Sequence, residues 1–495
     1  MTTERKAQLK FDIKAGLKFT AYLYLGVGIV MVCGFFINQE SLEKQFPTPH
    51  EWSFLTRRAF RNACAARYQT DPEQTVQWGQ VINWMRLCRV RLLDAGYDGE
   101  GVRPASPDRP QLAMDISAKS EAWRRGYFET MMNMVKGLEE VEGWMVDTTR
   151  GIIFPPELVI GPSNPNPKPI PAGFKGAPKE EDCTLAFMSP NEVFLGIIYT
   201  IDLSNRQRIE ANLAYANWLD FKGLAGPAGI IYEDAVNLAA AEAPPQTLDP
   251  ETWTINENAS LPSANLLTTL TAYAEFRARN GDISSALPIF VSLLKARRNL
   301  PADPNTPPRN PAQGIAGILR SLFVPAAYPP PPPDGTAPPV RDPKELCAEA
   351  ALSLHIGEII YTSQATNREE GLGWTREAVD IAEEQLHRLN SSEAHKPARA
   401  SCRECLATGL GNWQNMVARL AREEAARKEE VEAAAAQKPS SWFGLWGGDG
   451  GIKKEDLSRW AAEEKVIEER ERRAKELLEE LEPPPRSALA ALFNA

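Results

Sequence analysis

The sequence predicts an all-α protein. A single N-terminal transmembrane helix is followed by helical hairpins stacked as an α-solenoid, with proline-rich insertions between them. Three observations carry this. One apolar run is long enough to cross a bilayer. Alternating strand patterns are nearly missing from the 495 residues. A spacing of small residues and aromatics recurs on successive helices.

The run starts at Phe19 and ends at Gln39, and no charged side chain lies within it. About twenty apolar residues match the hydrocarbon thickness when coiled as a helix. A cleaved signal peptide needs a shorter core and a small-x-small site, whereas Ile37, Asn38, Gln39 and Glu40 follow here. A buried core helix would show a polar face, and this run has none. A lone spanning helix cannot enclose a polar pathway, so a transporter is excluded. The flanks give direction. Arg5, Lys6, Lys10, Lys14 and Lys18 outnumber Glu4 and Asp12 before the run, and Glu40, Glu43 and Lys44 follow it. Positive charge stays on the side of insertion. The N-terminus is therefore expected in the cytosol or mitochondrial matrix, and the large C-terminal part in a lumen or the intermembrane space. Tyr22 and Tyr24 sit at the basic end, where interfacial aromatics belong. Residues 9–19 mix apolar and basic side chains as a weak matrix-targeting helix would, with Asp12 counting against a strong one.

A net charge of −10 argues against nucleic acid as a partner, and no basic face stands out. The seven cysteines (Cys33, Cys64, Cys88, Cys183, Cys347, Cys402 and Cys405) are odd in number and loosely spaced, unlike a secreted disulfide framework. Sequons at Asn258 and Asn390 matter only in a secretory lumen.

The predicted order is a basic segment (1–18), the transmembrane helix (19–39), a helical juxtamembrane region (40–154) and a proline-rich connector (155–178). Helical repeats (179–300), a proline-rich linker (301–343) and further degenerate repeats (344–436) follow, and an aromatic and glycine segment with a charged helix (437–495) closes the chain. Helical periodicity covers roughly 52–68, 72–95, 118–147, 189–201, 205–221, 227–242, 262–279, 283–299, 344–363, 374–389, 397–436 and 454–481, parted by Gly, Pro and Asn breaks. Residues 151–154 are strand-like but too short to found a sheet. The linkers, one with Tyr328 before five prolines, favour extended polyproline II. They read as surface linkers or as docking strands for an aromatic groove.

Ala216, Leu219 and Phe221 lie on one helix, Gly223 breaks it, and Ala228, Tyr232 and Ala235 mark the next. Ala274, Gly281, Ala286, Phe290 and Leu293 repeat the spacing. A weaker copy holds Gly373, Ala378 and Ala382 after a helix with His355, Gly357 and Ile360. Small residues let helix axes approach, and the aromatic fills the wedge behind them. These hairpins resemble tetratricopeptide repeats of about 34 residues. The resemblance implies a concave face lined by the first helix of each pair. Its peptide-binding positions would be Asn212, Tyr215, Leu219, Lys222, Leu270, Tyr273, Arg277 and Asn280.

Catalytic signatures fail on inspection. Cys402 and Cys405 form a CxxC inside a helix, without the strand a redox motif needs or the further ligands zinc needs. The glycine-rich residues 447–451 lack a Walker ending. Trp442, Phe443, Leu445 and Trp446 are too apolar to stay in water, and suit a plug for the groove, a partner or the membrane interface. The chain is expected to be no enzyme and to need no cofactor or metal.

Residues 19–39, the motif PTPHEWSF at 47–54, and the repeats near 211–235 and 269–293 together resemble, in layout, the fungal tetratricopeptide adaptor subunits of the mitochondrial inner-membrane i-AAA protease. That resemblance implies repeats in the intermembrane space that bind unfolded or misfolded membrane-protein clients and pass them to the protease. The chain departs from it in lacking a strong presequence, in its proline-rich insertions and in its degraded later repeats. A scaffold or assembly factor of a membrane complex is the alternative, and an endoplasmic-reticulum membrane with a lumenal domain is the alternative location.

Overall fold

The computed structural model describes residues 3–68, 75–108, 113–170, 176–257, 260–302, 327–363, 368–389, 396–436 and 454–481. Asn258, Asn390, His395, the Trp442 to Trp446 segment and the glycine run after it lie outside these residues. Helices dominate, with a few short strands. The chain forms two compact units. The first holds residues up to Trp218 and 327–333; the second holds Leu219 to Ala302 and residues from Asp334 on.

The first unit begins with α1 (Thr3–Gln45), which contains the one described helix long and apolar enough to cross a membrane. Its apolar side chains, from Phe19 to Ile37, are mostly exposed. Helices α2 (Phe54–Arg67) and α3 (Trp78–Leu93) form a hairpin, and α4 (Glu121–Glu140) packs on α3. Ala59, Ala63, Val81, Met85, Cys88, Trp123 and Met131 make the core between them. The motif at 47–54 joins α1 to the hairpin. Thr48 donates to Glu43 through its amide and hydroxyl at 2.9 and 2.8 Å. Glu43 also takes Arg57 at 3.0 Å and the buried Arg61, whose other arm donates to Gln39 at 2.9 Å. Trp52 lies against Gly126 of α4, where any Cβ would collide with its ring. Ser53 starts α2, and its amide and hydroxyl donate to Asp98 at 2.7 and 2.8 Å.

The predicted helix at 118–147 ends early. Gly143 takes a positive φ of 79° and turns the chain into a strand. Strands β1 (Arg103–Pro104) and β2 (Met114–Asp115) pair antiparallel. Strands β3 (Met145–Asp147), β4 (Ile152–Phe154) and β5 (Cys183–Leu185) make a small antiparallel sheet in the order β4-β3-β5. Of the strand-like residues 151–154, residues 152–154 therefore do enter a sheet, because Asp147 caps the turn through Thr149 and Arg150. The first proline-rich connector folds back on itself: Ser163 donates to Glu180, and Asn164 to the carbonyls of Glu157 and Val159. Helices α5 (Pro190–Ile198) and α6 (Asn205–Phe221) follow.

The second proline-rich stretch is also held from within. Arg125 of α4 lies buried beneath residues 328–330. Its guanidinium donates to Pro330 O at 2.8 Å, to Pro329 O at 2.6 Å and to the Tyr328 hydroxyl at 3.2 Å. It also lies 4.3 Å from the centre of the Tyr328 ring. Prolines have no amides to donate, so their carbonyls remain free for an arginine fork.

The second unit is helical. It contains α7 (Ala225–Ala240), α8 (Ala264–Arg279), α9 (Ile283–Arg298), α10 (Pro343–Ser363), α11 (Arg368–Arg388), α12 (Lys396–Ala436) and α13 (Lys454–Leu481). Neighbours α8 and α9 pack together, as do α10 and α11. Gly281, at φ 84°, makes the α8–α9 turn, and Asp282 caps α9 through the Ser285 amide. Gly357 and Gly371 face each other where α10 crosses α11, so closely that a Cβ on either would strike the other's backbone. Such glycine contacts bring the helix axes together. Residues 334–337 pin the start of α8: Ala337 and Gly335 carbonyls accept the Ala264 and Asn265 amides.

The charged helix α13 packs back onto its neighbours. Glu463 accepts from Trp413 Nε1 at 2.7 Å and from Arg376 Nε at 2.8 Å, and Trp460 Nε1 donates to Glu424 at 2.6 Å. Its carboxylates fasten helices here, beyond forming a solvated face. A disulfide joins Cys347 of α10 to Cys402 of α12, 55 residues apart in sequence. The loose cysteine spacing concealed this bond.

Candidate functional site

Within the second unit, α8, the first residue of α9, α10 and α12 surround an open cavity of about 890 Å³. The three long walls come from α8, α10 and α12. α8 contributes Glu275, Ala278 and Arg279; α10 contributes Leu354, His355 and Glu358; α12 contributes Thr408, Asn412 and Asn415. The apolar part of the lining includes Ile283, Ala351, Ile359 and Met416.

His355 organises the polar part. Its ring stacks on Phe290 at 5.2 Å. Nε2 lies 3.6 Å from Glu275, and Nδ1 3.8 Å from Glu358. Burial pulls its pKa down, but the hydrogen bonds and charge of the two carboxylates outweigh this and raise it to about 9. Glu358 is held below the usual carboxylate range, first by its bond to His355. Asn412 donates to the same Glu358 from α12. Arg279 is engaged by Asp220 at 3.0 Å. The cavity thus presents a fixed imidazolium, carboxylates and amides above an apolar floor. That combination suits a peptide's backbone and side chains.

It offers little for covalent chemistry. Cys405 lines the cavity, but burial pushes its thiol up to about 12, which keeps it protonated and unreactive. Its CxxC partner Cys402 is committed to Cys347. No group of metal-binding side chains occurs among the described residues.

The eight positions taken from the repeat resemblance lie elsewhere, and none lines this cavity. Asn212, Tyr215 and Leu219 are buried. The Tyr215 hydroxyl donates to Asn191 at 2.5 Å, and its ring packs on Phe194. Leu270 and Tyr273 are also buried, with Trp253 edge-on to Tyr273 and the Tyr273 hydroxyl donating to Glu233 at 2.8 Å. Arg277 reaches Asp282 at 2.7 Å. Asn280 donates to Asp220 at 3.1 Å, and Lys222 is exposed. On α8 the positions implied by the repeat resemblance form the stripe through 270, 273 and 277. The cavity uses 275 and 279, which lie about 160° and 120° around the helix from 273. His355 was visible in the sequence only as a member of a degenerate repeat.

Comparison with known protein families, with curated proteins and with solved structures finds no match for this chain.

Proposed function

We propose that the chain is a membrane-anchored adaptor that binds segments of client proteins in the α8–α10–α12 cavity. The observation that carries this is the lining itself: the alternate helices α8, α10 and α12 supply the walls, the arrangement expected of a tetratricopeptide-like groove. In this reading the partner is the mitochondrial i-AAA protease, and the clients are unfolded or misfolded membrane proteins. α1 holds the groove beside the bilayer and raises the local concentration of captured client there. The Cys347–Cys402 disulfide supports a location for the second unit outside the cytosol and matrix, where such bonds persist.

The test is photocrosslinking from Thr408, at the cavity wall, in the full-length protein. Client adducts that vanish when Asn412→Trp fills the cavity support the reading, provided circular dichroism is unchanged. Adducts that survive the filled cavity overturn it. Co-purification of the protease hexamer supports delivery, whereas a stoichiometric complex without protease supports a scaffold instead.

A further inference from the structure

The two helices of the α2–α3 hairpin are basic, and the acids Asp71 and Glu73 fall between them in the sequence. Residues 52–68 and 75–93 hold Arg57, Arg58, Arg61, Arg67, Arg86, Arg89 and Arg91, and neither Asp nor Glu. The whole protein has a net charge of −10. Four of these arginines are used internally. Glu43 takes Arg57 and Arg61, Asn133 accepts from Arg67, and Arg91 donates to Thr56 and Ser53 at 2.9 and 3.0 Å. Arg58, Arg86 and Arg89 have no carboxylate partner among the described residues. Arg58 and Arg89 each keep a buried Nε without an acceptor.

The hairpin also sits at the end of the anchor. The Phe54 ring lies 6.3 Å from Phe35 and 6.4 Å from Phe36, both inside the apolar run. The Arg58 guanidinium lies 5.1 Å from the Phe35 ring and 5.9 Å from that of Trp84. Four large apolar side chains are left in water at this end: Phe54 (46% exposed), Leu55 (50%), Leu87 (42%) and Val90 (53%). The bonds from Arg91 to Ser53 and Thr56 bring the second half of α3 beside the start of α2. Leu87 and Val90 therefore belong to the same end of the hairpin as Phe54 and Leu55.

We propose that this end of the α2–α3 hairpin docks on the bilayer surface into which α1 inserts. Phe54, Leu55, Leu87 and Val90 enter the interface, and Arg58, Arg86 and Arg89 bind anionic phospholipid headgroups. The proposal rests on reading α1 as the anchor. Two features favour lipid as the occupant. The patch is continuous with the anchor through Phe35 and Phe36, and arginines beside exposed apolar side chains match an anionic interface in charge and polarity. An arginine also reaches a phosphate through a forked pair of N–H groups.

Hydrogen exchange of the full-length protein in nanodiscs tests this. Discs of phosphatidylcholine are compared with discs that also contain phosphatidylserine. Amides of 54–58 and 84–91 are expected to exchange more slowly on the anionic discs, with α4 unchanged. Arg86→Gln alone should weaken docking about fivefold, and Arg58→Gln/Arg86→Gln/Arg89→Gln together on the order of a hundredfold. Arg86 is exposed, so its variant keeps the test sound if the triple variant misfolds. Equal exchange on both discs overturns the docking and leaves the anchor standing. Failure to enter either disc overturns both.

Discussion

His355 of α10 meets Glu275 of α8 at 3.6 Å across the cavity. This contact ties the protonation of one ring to the packing of two helices. Because the folded pKa of about 9 exceeds the ordinary value of 6.5, the folded state binds the proton more tightly. The stability it contributes is complete below about 6.5 and is lost as the pH rises through about 9. The denaturant midpoint of the second unit should therefore fall between pH 7 and pH 10. His355→Gln should remove this component of the fall. Parallel pH profiles for the two proteins would show that the ring is not charged in the folded state.

The Cys347–Cys402 bond makes a second prediction. It closes a 55-residue loop that includes most of α10 and all of α11. Chain-entropy arguments give such a bond about 4 kcal/mol, less any strain in the folded state. Alkylation of the denatured, unreduced protein should label the five free cysteines, and reduction should raise the number to all seven. Reduction, or Cys347→Ala with Cys402→Ala, should lower the melting temperature of the second unit. Seven labels without reductant would mean that the bond does not form.

The limits of sequence reading show in the same residues. Helices were legible because their apolar periodicity, glycine turns and caps are local: α8, the Gly281 turn and α9 fall where the spacing put them. The end of α4 at Glu140 is not legible, because nothing local distinguishes the positive φ at Gly143 from a tolerated helical glycine. The face of α8 that lines the cavity was not legible. Tyr273 looked like a ligand-facing aromatic, but Trp253 from a distant loop covers it. The disulfide was hidden for a related reason, since connectivity depends on which helices stack and not on spacing. The basic hairpin was present in the sequence as two acid-free stretches, masked by the acidic total.

Arg125 and Tyr328 should be strongly coupled. The arginine stacks on the ring and donates to the following two carbonyls, so removing it leaves both carbonyls and the tyrosine without their main partner. A double-mutant cycle with Arg125→Ala and Tyr328→Ala, read by urea unfolding, should give a coupling energy of about 1–3 kcal/mol. Additive effects would mean that residues 328–330 are not held on α4 by Arg125. Glu129 bears on the same place: burial is the main cause that pushes it up to about 7, with Arg125 opposing and Glu210 reinforcing. A carboxyl raised in the folded state costs stability as the pH rises from about 4.5 through 7. Glu129→Gln should accordingly stabilise the first unit at pH 8 and have little effect at pH 4.

The junction of α1 with the α2–α3 hairpin gives the last prediction. Glu43 is nearly inaccessible, yet it receives Arg61, Arg57 and two donors from Thr48. A buried carboxylate with this many donors is stable only as a complete set. Removing its charge leaves Arg61, which is equally buried and whose Nε already lacks an acceptor, without its ion-pair partner and with only the Gln39 amide oxygen beside it. Glu43→Gln should therefore destabilise the first unit by about 3–5 kcal/mol, the usual cost of leaving one buried partner unpaired. The double change Glu43→Leu/Arg61→Met should recover much of that loss, because two apolar side chains of similar size need no partner. Limited proteolysis of the detergent-solubilised chain reads both: cleavage between 45 and 54 should appear in Glu43→Gln and recede in the double variant. The apolar run itself is unchanged in either protein, so membrane extraction should not differ between them. Equal protease resistance of Glu43→Gln and the natural chain would mean that α1 and the hairpin are joined by the chain alone and not by this cluster.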